Sequence, residues 1–594
     1  MELLIIGVLG MLGIAGASLI APKLRIPAPL LLVVVGIVIS FLPFVAEFEI
    51  DPEWILAGIL PPLLYSASVS MPTVDFRREF KTISGLSVVL VVISAVVLGA
   101  LFSWLIPGLG LAGGIALGAI LSPTDAVATT IVKRVGVSPR IVTVLEGESL
   151  LNDATALVLL RSAIAASAAS VSLWGVLGDF VWAVLIAAAI GFLIGIVNLF
   201  VRKRVQDATV NTVISFTVPF LASLPAEALG GSGLVAAVVA GLVTGMGSVR
   251  FLKPQHRLSD EQNWRTVELL LESTVFLVMG LELSKIINDV QRDGAGVWTA
   301  VGLAAIGLGV VTLLRALYVA PLIASIGRTQ KRGERIKPTL DKLQSKLDHA
   351  GDQDIKLERD GHSRTVPAKR LSQLRGRVQR KSADIDYFSK KPLGWREGTV
   401  VAWAGMRGVV TLAAAQTLPA ETPSRSLLIL VAFLVAGSSL LIQGGTLPWL
   451  VRVVRPAAPD PEENAAERAE LMELLLEVAR DQGASAAGTS HEKPLPEKPL
   501  NHDPRPSQEG HDPAADLADH EAVELLGALS AGAAERQERI NRRSLRLNIL
   551  LAQRELLLAL RKEARFSSAT LSHALATLDA EQVALEMRGE AEGH

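Results

Sequence analysis

The chain has 594 residues, half of them hydrophobic, a mean hydropathy of +0.43 and a formal net charge of −1. Soluble domains rarely average so apolar, and here the apolar residues come in long blocks. Without cysteine, disulfides, thiolate catalysis and cysteine-held metal or iron–sulfur sites are excluded. With no H-E-x-x-H pattern and no G-x-x-x-x-G-K-[ST] loop, neither a zinc enzyme nor an internal ATP motor is indicated. No cofactor and no nucleic-acid partner are expected.

A bilayer core of about 30 Å needs roughly 20 apolar residues per helix. Along this chain the rule gives thirteen candidate spans: 3–20, 28–46, 54–70, 83–106, 110–132, 144–167, 174–200, 210–224, 231–247, 264–285, 297–326, 394–417 and 425–451. The connecting loops check the count. Lys23 and Arg25; Arg77, Arg78 and Lys81; Lys133, Arg134 and Arg140; Arg202, Lys203 and Arg204; Arg250, Lys253 and Arg257; and the 327–393 loop all fall on one side. The loops between them are acidic, mixed or neutral, with Glu47, Glu49, Asp51 and Glu53, then 167–173, Glu227, 286–296 and Glu421. The positive-inside rule makes the basic side cytoplasmic, with Met1 outside and the tail inside. The first span has no basic region before it and no clear small-residue cleavage site, so it reads as a membrane helix and not a signal peptide.

The third span carries Pro61-Pro62-Leu63-Leu64-Tyr65-Ser66, and adjacent prolines there imply a bend packed against neighbours. The fifth carries Ser122-Pro123-Thr124-Asp125. Pro123 cannot continue the backbone ladder, so the helix is expected to break just before Thr124. A helix broken in mid-membrane exposes carbonyls and amides of opposite polarity, as ion sites in transporters do. Asp125 beside the break is read both as a cap on the second half-helix and as part of a transport site.

The sixth span opens with Glu146-Gly147-Glu148-Ser149-Leu150-Leu151-Asn152-Asp153. On a helix, Glu148 and Asn152 share one face, and Ser149 and Asp153 lie about 100° round. One stripe can hold the scaffold together and the other an ion. Glu148 needs a cation, and Arg161, Arg315 and Arg407 lie within spans; Arg161 is near enough to its helix end to reach water. Span twelve reads Trp403-Ala404-Gly405-Met406-Arg407-Gly408, where two glycines flanking an arginine mark a second interruption. Arg407 is therefore the expected partner of Glu148, in a structural role. Asn211, Thr212, Glu268, Glu272 and Arg315 read as inter-helix hydrogen-bonding glue.

Residues 328–393 are strongly charged and poor in apolar residues. They are expected to form a basic cytoplasmic loop, with 371–378 as a candidate short helix at an anionic lipid surface. The membrane domain thus spans 1–327 and 394–455, and the tail 456–594 is soluble. The tail has helical character over 462–480, a Pro/His/Gly/Ser-rich stretch at 481–516 expected to be a disordered linker, and an amphipathic pattern over 533–566 suited to regulatory docking.

Ser122-Pro123-Thr124-Asp125, Glu148 to Asp153 and Gly405-Met406-Arg407-Gly408 together resemble the monovalent cation:proton antiporter-1 family, as do Pro61 to Tyr65 and Phe276-Leu277-Val278-Met279-Gly280-Leu281. The resemblance covers roughly residues 1–455. It implies an all-α polytopic membrane protein with thirteen helices in two inverted six-helix repeats, a homodimer, and a core that moves against a dimerisation domain. It implies that Asp153 binds the ion and the proton. Ser149 and the backbone around Thr124 would complete the coordination, and Asp125 would help through charge or water. Glu148 would pair with Arg407, and Asn152 would stabilise the neighbouring backbone. Some archaeal members carry a glutamate where Ser66 stands here, so Ser66 is a possible but uncharged ligand.

The implied activity is exchange of Na⁺ for H⁺ across a bacterial plasma membrane. One carboxylate suffices if it binds a proton or a cation but never both. An ordinary aspartate, with a pKa near 3.9, stays ionised at neutral pH, so the surroundings of Asp153 must make protonation competitive. Asn152-Asp153, in place of an Asp-Asp pair, resembles the electroneutral one-for-one exchangers. K⁺ or Li⁺ in place of Na⁺ uses the same machinery. A cation- or pH-sensing protein on this scaffold would be favoured by loss of Asp153 or Asp125, and both are present.

Overall fold

The computed structural model describes residues 2–591 apart from 25–26, 43–50, 169–172, 295, 350–354, 360–361, 367, 391, 458–460, 490–512 and 564. It divides into two units, 1–460 and 461–594. The first unit is helical throughout except for one short hairpin. Seven helices among the described residues are long and apolar enough to cross a bilayer, and four more apolar helices are shorter.

The chain opens with α1 (Glu2–Leu24), α2 (Ala28–Ser40) and α3 (Leu60–Ser70). Pro61 and Pro62 stand in the first turn of α3, where the missing amides cost least, directly after a π-helical turn at Trp54–Ile59. α4 (Thr73–Ser84) continues through a second π turn into α5 (Leu90–Leu105), and α6 (Gly110–Ile120), α7 (Val127–Val135) and α8 (Pro139–Ala168) follow. Then come α9 (Leu173–Arg202), α10 (Ala208–Ala228), α11 (Gly233–Phe251), α12 (Pro254–Leu281) and the short α13 (Leu283–Arg292). After α14 (Val297–His349), the strands β1 (Ile355–Arg359) and β2 (His362–Val366) pair antiparallel and lead to α15 (Ala368–Lys390). α16 (Trp395–Trp403), α17 (Val409–Gln416), α18 (Arg425–Ser439) and α19 (Gly445–Val454) complete the unit.

These helices pack most densely in two bundles. One gathers α1–α3 with α9–α12, and the other α4–α8 with α14 and α16–α19. Close approach inside the first bundle depends on missing side chains. A Cβ on Gly280 of α12 would run into the Val33 carbonyl oxygen of α2, and one on Gly36 into the Leu277 carbonyl oxygen. Its far side is tied by buried Arg202, which donates to Asn211 at 2.7 Å, to Ser215 at 3.3 Å and to Asp260. Asn211 and Thr212 are thus the inter-helix glue expected of them, with Arg202 as the hub.

The stretch expected to be a basic loop is instead an extension of the fold. α14 runs 53 residues without interruption, well past the apolar span, and the candidate helix at 371–378 is the middle of α15. Ile336, Leu340, Leu343 and Leu347 recur at helical spacing, and the last three pack with Leu374 and Val378. Three apolar positions on α14 and two on α15 suffice to join the two helices. The end of α15 then seats on α4 and α8. Arg78 donates to Asp384 at 2.8 Å with its guanidinium 4.5 Å from the Tyr387 ring centre, and Arg140 lies 4.8 Å from the Phe388 ring centre while pairing with Glu79 at 2.5 Å. Burial, with Asp75 and Glu79 adding to it, pushes the Tyr387 phenol well up, so the ring remains neutral and meets the arginines through its face.

The second unit holds α20 (Pro461–Thr489), α21 (Pro513–Glu563) and α22 (Ser568–Ala591). Leu471, Leu475, Leu550, Leu557, Leu560 and Phe566 form its core, and Gln553 donates to the Leu475 carbonyl at 2.8 Å. Of the expected linker, 481–489 belongs to α20 and 513–516 to α21; 490–512 lie outside the described residues. Glu47 and Glu49, and most of the 167–173 loop, also lie outside them.

Overpacking a well-packed contact costs about 1–3 kcal/mol. Gly280→Val is therefore expected to lower the thermal unfolding midpoint in detergent by several degrees. Gly302→Ala, where a Cβ meets nothing within 4 Å, is expected to leave the midpoint unchanged or raise it.

Candidate functional site

The centre of the second bundle is a crossing of two broken helices. α6 stops at Ile120 ahead of Pro123, and the chain is unwound until Val127; α16 stops at Trp403, and the chain is unwound until Val409. The two unwound segments meet backbone to backbone, with the Asp125 amide donating to the Met406 carbonyl at 2.8 Å. Gly408 makes the crossing possible, because a Cβ there would coincide with the Asp125 carboxyl.

Each break leaves carbonyls at the end of its first half and amides at the start of its second. Arg407 answers the carbonyl ends. Its Nε donates to Leu121 O at 3.0 Å, just past α6, and its Nη1 donates to Gly405 O, just past α16. Asp125 answers the amide ends. Its Oδ1 accepts from the Val127 amide at 2.7 Å at the head of α7, and its carboxyl also accepts from the Val409 amide at the head of α17. The capping role expected for Asp125 thus extends to both half-helices. Ser439 of α18 fixes Arg407 in turn, accepting from its amide at 2.8 Å and donating to its carbonyl at 3.2 Å.

The expected Glu148–Arg407 pair is not formed. Glu148 pairs with Arg315 of α14, through Nη2–Oε2 at 2.7 Å and a second bond from Nη1 to Oε1. The reason is geometric. The Arg407 guanidinium is occupied by the carbonyl ends, whereas Arg315 reaches α8 directly and also donates to Val401 O at 3.0 Å. Both partners of the pair are almost wholly buried.

Both stripes of α8 contribute to the first break, Ser149 from one and Asn152 from the stripe of Glu148. Ser149 donates to Thr124 O at 3.1 Å, and Asn152 donates to Ser122 O at 3.3 Å and to Thr124 Oγ1 at 3.1 Å. Asp153 is buried beside them, within reach of the Asp125 charge, and its Oδ1 has no hydrogen-bond partner among the described residues. A buried carboxylate oxygen without a donor is rare in a finished fold and suits a group that binds something transient. Asp153, Ser149, Thr124, Asp125, Asn152, Glu148 and Arg407 are therefore one cluster around the crossing. Ser66 makes its contact elsewhere, donating to Glu268 Oε2 of α12 at 3.5 Å.

The profile of the sodium/hydrogen exchanger transmembrane family matches residues 9–344 and 365–453. The chain belongs to that family. It is a multi-pass membrane carrier and not an enzyme. An uncharacterized Na(+)/H(+) exchanger of Mycobacterium tuberculosis is 28% identical over 593 residues, spanning 96% of this chain and 93% of the relative. A sodium, potassium, lithium and rubidium/H(+) antiporter of Bacillus subtilis is 32% identical over 304 residues, 50% of this chain and 45% of the relative. The solved sodium proton antiporter MjNhaP1 of Methanocaldococcus jannaschii shares the fold, with a TM-score of 0.51 at 18% identity over 76% of this chain and 99% of its own. The stretch that the exchanger profile skips, 345–364, falls at the tip of the α14–α15 hairpin.

Two functional side chains were misjudged or missed from sequence. Arg315 was visible as a mid-span arginine, but its partner lies 167 residues away, and no spacing rule chooses among three arginines at such range. Ser439 carries no signal, being one of two adjacent serines in an apolar run. Removing one partner of a buried ion pair costs about 3–5 kcal/mol, whereas replacing both by apolar groups is often neutral. Arg315→Met is thus expected to destabilise the exchanger strongly, and Glu148→Met with Arg315→Met to recover most of the loss. Glu148→Met with Arg407→Met should recover far less in the same thermal-unfolding series.

Proposed function

We propose that this exchanger carries Na⁺ against H⁺ one for one, by alternating access at Asp153. The observation that carries the reading is the unpartnered, buried Asp153 oxygen beside a crossing whose helix ends are already neutralised. On this reading Ser149 and the Thr124 backbone turn toward the ion when it arrives, Asn152 holds the unwound segment, and Asp125 shapes the field. The family and the names of its relatives support cation/proton exchange, and Asn152 ahead of Asp153 supports electroneutrality. Thirteen crossings in two inverted repeats fit the pairing of α6–α7 with α16–α17. Met1 outside, a cytoplasmic tail and the plasma membrane follow from the basic loops. A homodimer follows from the family resemblance, and the tail unit at 461–594 is read as regulatory.

The relative from Bacillus subtilis, named for four alkali cations, favours a second reading in which K⁺ is also carried. Ser66 in place of a carboxylate fits a less selective site.

Purified protein in liposomes with an imposed pH gradient tests both readings. Na⁺ is expected to dissipate the gradient at the same rate with and without a potential clamp, and a response to K⁺ would add it as a substrate. Asp153→Asn is expected to abolish the flux, at least a hundred-fold, while leaving the elution profile and unfolding midpoint close to those of the parent. Full exchange in that variant would refute the site.

A further inference from the structure

Among the described residues, two side-chain hydrogen bonds join the bundles directly and a third holds α13, the short helix between α12 and α14, with all three at the same end. Arg161 of α8 donates to Glu227 of α10 at 3.1 Å. Gln416, the last residue of α17, donates to Glu282, and Ser426 at the head of α18 donates to Asp293. Glu282 and Asp293 bracket α13, so this ten-residue helix is pinned at both of its caps. Between the pins, Ile286 and Val290 are buried in the main apolar core, against α18.

We propose that α13, with its two pins and the Arg161–Glu227 pair, is the external gate of the carrier, a strap that must let go before the site opens outward. The inference rests on the alternating-access reading and on the orientation given above. α8 and α17 carry the site, and α10 and α12 belong to the other bundle. Arg161 stands eight residues beyond Asp153 on the same helix, about 12 Å along its axis. When one bundle slides or tilts against the other, contacts that cross the seam at the opening end must break. The contributions of the pins differ. Glu282 and Ser426 are buried, so their hydrogen bonds hold in a water-poor setting, whereas the half-exposed Arg161–Glu227 pair is a weak rim contact. Closure is therefore carried mainly by α13, and the ion pair sets the balance between the two states.

The chain has no cysteine, so introduced pairs can be cross-linked without background. Arg161→Cys with Glu227→Cys, reconstituted in liposomes and joined by oxidation or a short bis-maleimide, is expected to lose at least ten-fold in exchange rate. Reduction of the oxidised pair should restore it, and each single variant should be insensitive. A pair shown by mass spectrometry to be joined, yet exchanging at the unjoined rate, overturns the proposal. Charge reversal gives a second measurement that needs no cross-link. Arg161→Glu is expected to lower the apparent KM for cation on the outer face about two- to five-fold, as far as a rim pair can bias the equilibrium, and adding Glu227→Arg should restore it. An unchanged outer KM in Arg161→Glu overturns the proposal. Labelling of Arg161→Cys in intact cells by an impermeant maleimide tests the orientation separately, so a wrong topology is distinguishable from a wrong gate.

Discussion

The structure depends on how two helix interruptions are electrically finished inside a membrane. A broken helix in hydrocarbon leaves backbone dipoles that water cannot answer, and each unanswered group costs several kcal/mol. Here one cation and one anion each serve both breaks. Arg407 takes the carbonyl ends of α6 and α16, and Asp125 takes the amide ends of α7 and α17. Because each side chain bridges two half-helices, the breaks hold each other in register, and the backbone bond from Asp125 to Met406 locks the crossing. Gly408 and Gly405 are the steric conditions, the one leaving room for the Asp125 carboxyl and the other for the Arg315 side chain.

Around this crossing the remaining buried charges fall into place. Arg315 and Glu148 tie α14 to α8, the helix that carries Asp153. At the start of α8, Arg140, together with Arg78 of α4, meets Tyr387, Phe388 and Asp384 near the end of α15. The site helix is thus held near its middle and near its start by one continuous element. That arrangement suits a bundle that moves as a body, with its motion confined to the seam.

Much of this was legible in the residues, for identifiable reasons. Pro123 and the Gly405–Gly408 pair announce the interruptions, because the chemistry of proline and glycine is local. The two stripes of α8 follow from helical spacing, and the structure directs Ser149 of one stripe and Asn152 of the other at the unwound segment, while Glu148, beside Asn152, reaches Arg315. What failed was the choice of partner for Glu148. Its place at the second interruption ranked Arg407 first among three arginines, and nothing in the sequence tells that its guanidinium is consumed by carbonyl ends. The 328–393 segment failed differently. Its charge suggested a solvated loop, but Lys, Arg, Glu and Gln are good helix formers, and the sparse stripe of Leu340, Leu343 and Leu347 was enough to pack α14 against α15.

The pairing of buried charges has a consequence for leakage. At the crossing, Glu148 balances Arg315 and Asp125 balances Arg407, so the formal sum of these four groups is zero. On the reading in which Asp153 carries the substrate, its carboxylate is the one of these five groups left uncompensated. With either a proton or an alkali ion bound, the cluster is neutral and can pass through the occluded state. Empty, it would drag a bare anion through a low-dielectric seam, at a penalty of several kcal/mol. On that reading the fold discourages the unloaded carrier from returning, and coupling needs no separate device.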